Sequence, residues 1–316
     1  MIILTGGAGF IGSNVLTELN RRGVEDVIVV DDLTDGHKFS NLVDAKFLDY
    51  FDKDEFRGMV NANSRDLHDI ECIIHLGACS DTTEWNGKYM LDNNYAYSKE
   101  LLHFSNTIGC RLVYASSAAV YGLNPEFLET PTNERPLNVY GYSKLMFDRY
   151  VRQLAPELRA NVVGLRYFNV YGPGESHKNK MASVFYHFHQ QLLDEQTVRL
   201  FGASHNCSDG EHQRDFIHVD DAVGVTLWMA DHGEVSGIFN CGTGHASTFN
   251  DVARAIIDYH GVGDIDYIEM PHHLRPAYQS FTCADLGNLR NAGYKAGFAT
   301  VSEGAKRYLD CLTGNG

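Results

Sequence analysis

The stretch I-L-T-G-G-A-G-F-I-G-S-N, residues 3–14, decides how this chain is read. An apolar run enters it, and an amphipathic stretch from Phe10 to Arg22 leaves it. Between them, Gly7, Gly9 and Gly12 fit G-x-G-x-x-G, while Gly6, Gly9 and Gly12 fit the related G-x-x-G-x-x-G spacing. Glycine permits the tight turn and lets backbone N–H groups approach a pyrophosphate at a helix N-terminus. The next apolar run, V-I-V-V-D, ends in Asp31 and Asp32, at the spacing expected of acids that contact a ribose. Strand, glycine turn, helix and acid together predict a dinucleotide site.

Outward from there the alternation continues. Apolar runs C-I-I-H-L, R-L-V-Y-A-S-S and V-V-G-L-R-Y-F are separated by helix-like stretches at 91–108 and 138–154. Short continuous apolar strands between helices predict an α/β fold, a Rossmann-type doubly wound parallel sheet covered on both faces. After about residue 170 loops lengthen and strands shorten. R-D-F-I-H-V-D-D and G-I-F-N-C-G-T-G read as later returns to the main sheet. The expected division is a dinucleotide-binding domain at 1–170, with returns near 214–245, and a smaller α/β C-terminal substrate domain at 171–213 and 246–316.

Composition narrows the function classes. The chain of 316 residues carries a net charge of −15, against the basic face of a nucleic-acid binder. No run approaches the ~18 apolar residues of a membrane span. The N-terminus lacks the basic and long apolar regions of a signal peptide, so a cytoplasmic protein is expected. Seven scattered cysteines without C-x-x-C pairs read as reduced, packed thiols, and no metal site is indicated.

N-V-Y-G-Y-S-K, residues 138–144, then raises a question of pairing. Residues four apart share a helix face, so Tyr140, not Tyr142, goes with Lys144. A free phenol has a pKa of about 10, and an ammonium on the same face lowers it toward a usable base. Ser116 and Ser117 end an apolar strand, where ligands sit in such folds. A hydroxyl there can hold a substrate oxygen while Tyr140 takes its proton and Lys144 binds a nicotinamide ribose. The choice between NAD and NADP stays open: Asp31 and Asp32 favour an unphosphorylated ribose, whereas Lys38 and Lys53 can meet a 2′-phosphate.

T-G-G-A-G-F-I-G, S-S-A-A-V-Y-G, Y-G-Y-S-K, R-Y-F-N-V-Y-G-P and R-D-F-I-H-V-D-D together resemble the extended short-chain dehydrogenase/reductases that act on nucleotide sugars. D-G-H-K-F-x-N-L-V-D, G-A-C-S-D-T-T-E-W-N-G-K-Y-M-L-D-N-N-Y and G-P-G-E-S-H-K narrow the resemblance to members that epimerise an ADP-linked heptose at carbon 6. The resemblance implies Ser117, Tyr140 and Lys144 as catalytic residues and Lys178 as a second catalytic base. It implies cofactor contacts from Phe10, Ile11, Asp31, Asp32, Lys38, Lys53, Leu76, Gly77, Ala78, Cys79, Ser80 and Asn93, with Val170 beside the cofactor. It implies substrate contacts from Asn169, His187, Phe201, Gly202, Ala203, Ser204, Arg214 and Tyr278. NADP as cofactor, a cytoplasmic location, a homo-oligomer (a pentamer) and a role in lipopolysaccharide inner-core synthesis are implied in the same way.

Two departures fall in the substrate half. S-H-N-C-S-D-G-E-H-Q before Arg214 is longer than the family's usual loop, and Lys180 stands where a small residue is expected. An ADP-sugar needs local cations, for which Lys178, Lys180, Arg214 and Arg275 are candidates. Trp85, Tyr95, Tyr97 and Phe104 read as core, and Asp220 and Asp221 as caps of an apolar helix. The competing activities are another nucleotide-sugar reaction, 4-epimerisation or 4,6-dehydration, and a non-enzymatic cofactor-binding regulator. Ala118 and Ala119 count against dehydration, which places acids after the serine. Retention of both Tyr140 and Lys144 counts against a regulator.

Overall fold

A computed structural model describes residues 1–64, 67, 69–272, 274–275 and 278–314. They fold as two compact units, one made of 1–122, 134–167 and 223–239, the other of 123–133, 168–222 and 240–316. The segments 123–133, 168–170, 214–222 and 240–245, expected with the first domain, thus group with the second unit.

The first unit begins with β1 (Ile2–Thr5), α1 (Phe10–Arg21), β2 (Val27–Asp31), β3 (Asp49–Asp52) and α2 (Lys53–Asn61). It continues with β4 (Cys72–His75), α3 (Gly87–Leu91), α4 (Tyr97–Ile108), β5 (Arg111–Ser117), α5 (Val139–Leu154) and β6 (Val162–Tyr167). A π-helical turn, Asp92–Ala96, joins α3 to α4. The second unit contributes β7 (Asn169–Tyr171), α6 (Val184–Glu195), β8 (Thr197–Phe201), β9 (Gln213–Arg214) and β10 (Phe216–His218). After α7 (Val219–Asp231) and β11 (Gly237–Cys241) come β12 (Ser247–Thr248), α8 (Phe249–His260), β13 (Asp264–Ile268), α9 (Gly287–Asn291) and α10 (Val301–Thr313).

Seven strands form one sheet in the order β11-β6-β5-β4-β1-β2-β3, and the pairs from β3 to β6 are parallel. β2 and β4 are buried at every position, as strands covered on both faces must be. Ile3, Ile28, Ile73, Leu101, Leu112, Phe147 and Val151 belong to the core this creates. Fully burying each such side chain contributes about 1.5–3 kcal/mol. The second unit has its own core around Tyr171, Phe185, Val198, Phe216, Ile256 and Tyr308.

Three expectations are corrected. R-D-F-I-H-V-D-D does not return to the main sheet: β10 pairs with β7 as a separate two-stranded ribbon, and only G-I-F-N-C does return, as β11. Asp220 and Asp221 do not cap α7 but lie in its first turn, where carboxylates favour the helix dipole. Asp221 Oδ2 instead accepts a hydrogen bond from Ala299 N at 2.7 Å. Trp85 is 69% exposed, whereas Tyr97 and Phe104 are buried and Tyr95 packs against the same core.

Candidate active site

In the sheet, the chain runs outward from β1 through β2 to β3 and then returns to β4 on the other side of β1, so the strand order reverses between the neighbours β1 and β4. Ligands in such sheets bind outside the carboxyl ends of the strands at this switch point. A cleft of about 420 Å³ opens there, lined among others by Thr5, Gly6, Asp31, Asp32, Lys38, Lys53, Gly77, Ala78, Cys79, Tyr89 and Asn93.

The glycine turn fits a dinucleotide because side chains cannot occupy it. Gly6 has φ +70°, and a Cβ there would sit 2.6 Å from Gly77 N; a Cβ on Gly12 would sit 2.0 Å from Gly6 O. Gly9 N donates to Gly6 O at 3.0 Å, which closes the turn ahead of α1. Phe10, in the first turn of α1, is buried. Ile11 is half-buried, and Ser80 beyond β4 is exposed.

Asp31 serves the protein itself. Its Oδ2 accepts from Ala8 N at 2.8 Å, and its Oδ1 accepts from Asp32 N at 2.7 Å and from Lys38 Nζ at 2.5 Å. The acid therefore fixes the glycine turn and anchors a cation at the cleft. Asp32, more exposed, is held below the usual carboxylate range by hydrogen bonds from Thr34, with Lys53 adding to the effect. Lys53, in the first turn of α2, lies 3.5 Å from Asp32 Oδ2 and donates to Asn93 Oδ1 at 3.1 Å.

The π-helical turn carries a residue the sequence reading did not single out. Buried Asn94 accepts from Cys79 N at 2.8 Å and donates to Cys79 O at 2.9 Å and to Ser143 Oγ at 3.0 Å. It clamps the loop after β4 to α5. π-bulges inside helices gather at functional sites for this kind of re-aiming, but their signature in sequence is weak.

Ser117 ends β5, and its side chain hydrogen-bonds the Tyr140 hydroxyl. Asn138 caps α5 by accepting from Gly141 N at 2.8 Å, which places Tyr140 in the first turn. Lys144, one turn on and buried, donates to Ala115 O of β5 at 2.9 Å. Tyr142 is 47% exposed. The expected tuning of the phenol differs in sign: burial pushes Tyr140 above its ordinary value, and the Ser117 hydrogen bond opposes this in part. Burial also lowers Lys144 to about 8, against a partial opposing pull from Asp148 and Cys79. Burial thus disfavours the charged form of each group.

In the second unit the structure brings together Phe201, Ser204, Arg214 and Tyr278. The Arg214 guanidinium stands 5.0 Å over the Tyr278 ring, whose centroid lies 6.0 Å from that of Phe201. Ser204 Oγ hydrogen-bonds His212 Nε2 at 2.9 Å. His212 and His205, members of the longer loop, flank Tyr278 at 5.1 and 5.7 Å between ring centroids. Neither is assigned to the site from the sequence, where a lone histidine carries little signal. Gly202 and Ala203 continue from β8, and Ala203 N donates to Asp209 Oδ1 at 2.7 Å. Asn169 opens β7 and Val170 follows it. His187 lies on α6. Lys178 and exposed Lys180 lie in a 3₁₀ segment, Ser176–Met181. Burial lowers the Lys178 ammonium below its ordinary value.

A glycine cradle at the switch point, with a Ser-Tyr-Lys set at the end of β5, defines an NAD-type epimerase or dehydratase site. The chain belongs to the NAD dependent epimerase/dehydratase family, whose pattern it matches over residues 2–242. It is 56% identical over 312 residues, 99% of this chain and 97% of the relative, to ADP-L-glycero-D-manno-heptose-6-epimerase of Alkalilimnicola ehrlichii. Among solved structures it resembles the Helicobacter pylori ADP-L-glycero-D-manno-heptose-6-epimerase, with a TM-score of 0.85, 29% identity, and 99% and 96% of the two chains covered. It also resembles MoeE5 in complex with UDP-glucuronic acid and NAD, with a TM-score of 0.80, 26% identity, and 99% of both chains covered.

Proposed function

We propose that this protein is an isomerase that inverts carbon 6 of the heptose in ADP-D-glycero-D-manno-heptose, giving the L-glycero epimer. The arrangement that carries the reading is Tyr140 hydrogen-bonded to Ser117 with Lys144 one turn away on the same face of α5. Likeness to a 56% identical epimerase supports the substrate.

The residues fit a nicotinamide dinucleotide. Gly6, Gly9 and Gly12 leave room for a pyrophosphate at the start of α1, and Asp32, Lys38 and Lys53 are placed for the adenosine ribose. NADP is the cofactor of this reading, because Asp31 is tied to the protein's own backbone and holds Lys38 at the cleft instead of opposing a 2′-phosphate. When bound, the nicotinamide supplies a hydride acceptor and then the hydride donor. Tyr140 takes the proton of the carbon 6 hydroxyl while Ser117 holds its oxygen, leaving a ketone on the substrate. The Ser117 hydrogen bond favours the phenolate form that Tyr140 requires, and Lys144, kept charged below about pH 8, lies one turn away on the same helix face to hold the nicotinamide ribose. Carbon 6 lies outside the pyranose ring, so rotation about one bond exposes both faces of the ketone. The alcohol oxygen then occupies a different place in each epimer, and a second proton-transfer group is needed. Lys178 takes that role, with an ammonium made easier to deprotonate by burial. Phe201, Ser204, Arg214 and Tyr278 receive the nucleotide, Arg214 suiting a diphosphate. Asn169, Lys180 and His187 complete the substrate contacts of this reading, in a cytoplasmic homo-oligomer, and the two compact units act as cofactor and substrate domains.

The test is incubation of the purified protein with the D-glycero substrate in D₂O, followed by NMR of carbon 6. The expected result is a mixture of both epimers with no solvent deuterium at carbon 6, since the hydrogen returns as hydride. Deuterium incorporation, or no conversion of the ADP-heptose, overturns the reading.

A further inference from the structure

Tyr140 and Lys144 are followed, four residues on, by Asp148. All three fall on one face of α5. Asp148 is completely buried, an arrangement that charged side chains adopt only when paired. Its Oδ1 accepts from Tyr114 Oη at 3.0 Å, and its Oδ2 accepts from Ser116 Oγ at 3.0 Å. Arg166 of β6, equally buried, donates to the same Oδ2 from Nε at 3.0 Å and from Nη2 at 2.8 Å. Arg166 also pairs with Glu134, which pairs in turn with Arg152 at 2.7 Å. The guanidinium stands 4.9 Å over the Tyr121 ring.

Read along the helix, these contacts form a ladder. Tyr140 meets Ser117, Lys144 meets Ala115, and Asp148 meets Ser116 and Tyr114. Every rung joins α5 to β5. We infer that Asp148 is a positioning residue of the reaction: it locks α5 in register with β5 and places a buried negative charge behind the Lys144 ammonium. Nothing in the glycine turn or the Ser-Tyr-Lys set requires a carboxylate there. The inference rests on the epimerase reading only for the activity measurements.

The physical logic is one of balance. Lys144 is buried, so its charged form is disfavoured unless a negative charge lies nearby. The titratable groups that face it are Asp148 and Tyr140 on its own helix, His75 at the end of β4 and Cys79 in the loop beyond. Desolvation lowers Lys144, and Asp148 opposes that more than Cys79 does. His75 is neutral and cannot contribute. Asp148 is therefore the main fixed negative charge available to keep Lys144 protonated at neutral pH. The carboxylate is itself paired with Arg166 and accepts from two hydroxyl donors. Arg166 shares its charge with Glu134, which leaves part of the Asp148 field for Lys144.

The test reads Lys144 directly and does not depend on any substrate. In protein labelled with ¹⁵N-lysine, the Lys144 Nζ resonance is identified by its loss in Lys144→Met and titrated in wild type and in Asp148→Asn. The wild-type midpoint is expected near 8, and the Asp148→Asn midpoint about one pH unit lower. Epimerase turnover is expected to fall on the order of ten- to a hundredfold in Asp148→Asn, with its alkaline limb moved the same way. Removing one partner of a buried pair is strongly destabilising, so Ser116→Ala carries the register argument separately. It keeps every charge and removes one rung, and kcat should fall severalfold with KM within twofold. An unmoved Lys144 midpoint in folded Asp148→Asn overturns the inference, as does wild-type kcat in Ser116→Ala. If wild type fails to convert ADP-heptose while Lys144 still responds to Asp148→Asn, the epimerase reading fails and the positioning role stands.

Discussion

Acid should loosen this fold through His75. The ring is buried at the end of β4, edge-on to Tyr97 at 5.1 Å. Its Nε2 lies 2.8 Å from Ser98 Oγ, and since Ser98 Oγ donates to Asn94 O, Nε2 must carry the proton. Nδ1 then accepts from Thr5 Oγ1 at 2.7 Å, while Thr5 Oγ1 accepts from Gly77 N at 3.1 Å. The neutral ring is fully satisfied. A second proton would face a committed hydroxyl, without water and near the Lys144 charge. Burial accordingly lowers His75 from 6.5 to about 3. A base with a depressed folded pKa leaves stability intact above its unfolded pKa and removes it as pH falls from 6.5 toward 3. Between pH 7.5 and 5 the unfolded chain takes up a proton that the folded chain refuses, which costs about 2 kcal/mol at ~1.36 kcal/mol per unit. The figure barely changes if the folded pKa is anywhere below about 4. Urea unfolding followed by far-UV circular dichroism at both pH values measures it, with His75→Gln as the control. That variant should start roughly 1 kcal/mol less stable from a lost hydrogen bond but lose about 2 kcal/mol less on acidification. Because His189, His212 and His260 are also lowered by burial, the difference between the two proteins is the decisive quantity. Equal acid losses in both would refute the assignment.

Tyr140→Phe should cut turnover by roughly 10²–10⁴-fold with cofactor still bound, while exposed Tyr142→Phe stays within twofold of wild type; the reverse pattern would show that the pairing with Lys144 is wrong. Replacing Lys38 and Lys53 together should weaken NADP far more than NAD, since charge-assisted contacts are worth roughly 1.5–3 kcal/mol each. Mass spectrometry of the co-purified cofactor checks this independently, and NAD as the native occupant would count against it. Lys178→Met should abolish epimerisation without loss of substrate binding, and combining it with Tyr140→Phe should be little worse than either alone. Near-normal kcat with a raised KM would make Lys178 a binding residue and end the two-base scheme.

Much of the first unit was legible because its signals are local. The glycine spacing, the apolar runs of β1, β2, β4, β5 and β6, and the four-residue step from Tyr140 to Lys144 are all consequences of short-range geometry. β3 is not legible for an equally local reason: D-Y-F-D is half exposed, with no buried position to set a period. β10 misled because F-I-H is buried throughout, which a strand in a two-stranded ribbon and one in the main sheet satisfy equally well. Trp85 misled because apolar character predicts burial only one way; a folded surface remains largely apolar.

What could not be read is where pieces distant in sequence are tied to one another. Asp31 illustrates the limit. At the end of β2 it occupies the place of a ribose-binding acid, yet three donors from Ala8, Asp32 and Lys38 converge on its carboxylate. The spacing rule located the residue, but its partners depend on how the glycine turn and the segment after β2 come together across the sheet end. Asn94 is the same case from the other side: nothing in N-N-Y marks one asparagine as binding Cys79 and Ser143 while its neighbour binds Lys53 and Tyr89. Adjacent residues on a helix point about 100° apart, so Asn93 and Asn94 meet different partners. Residue type and spacing thus identify chemistry that lies within one element. Assigning a polar residue to ligand or to scaffold requires the full set of hydrogen-bond partners around each buried group, which exists only once the strands are in register.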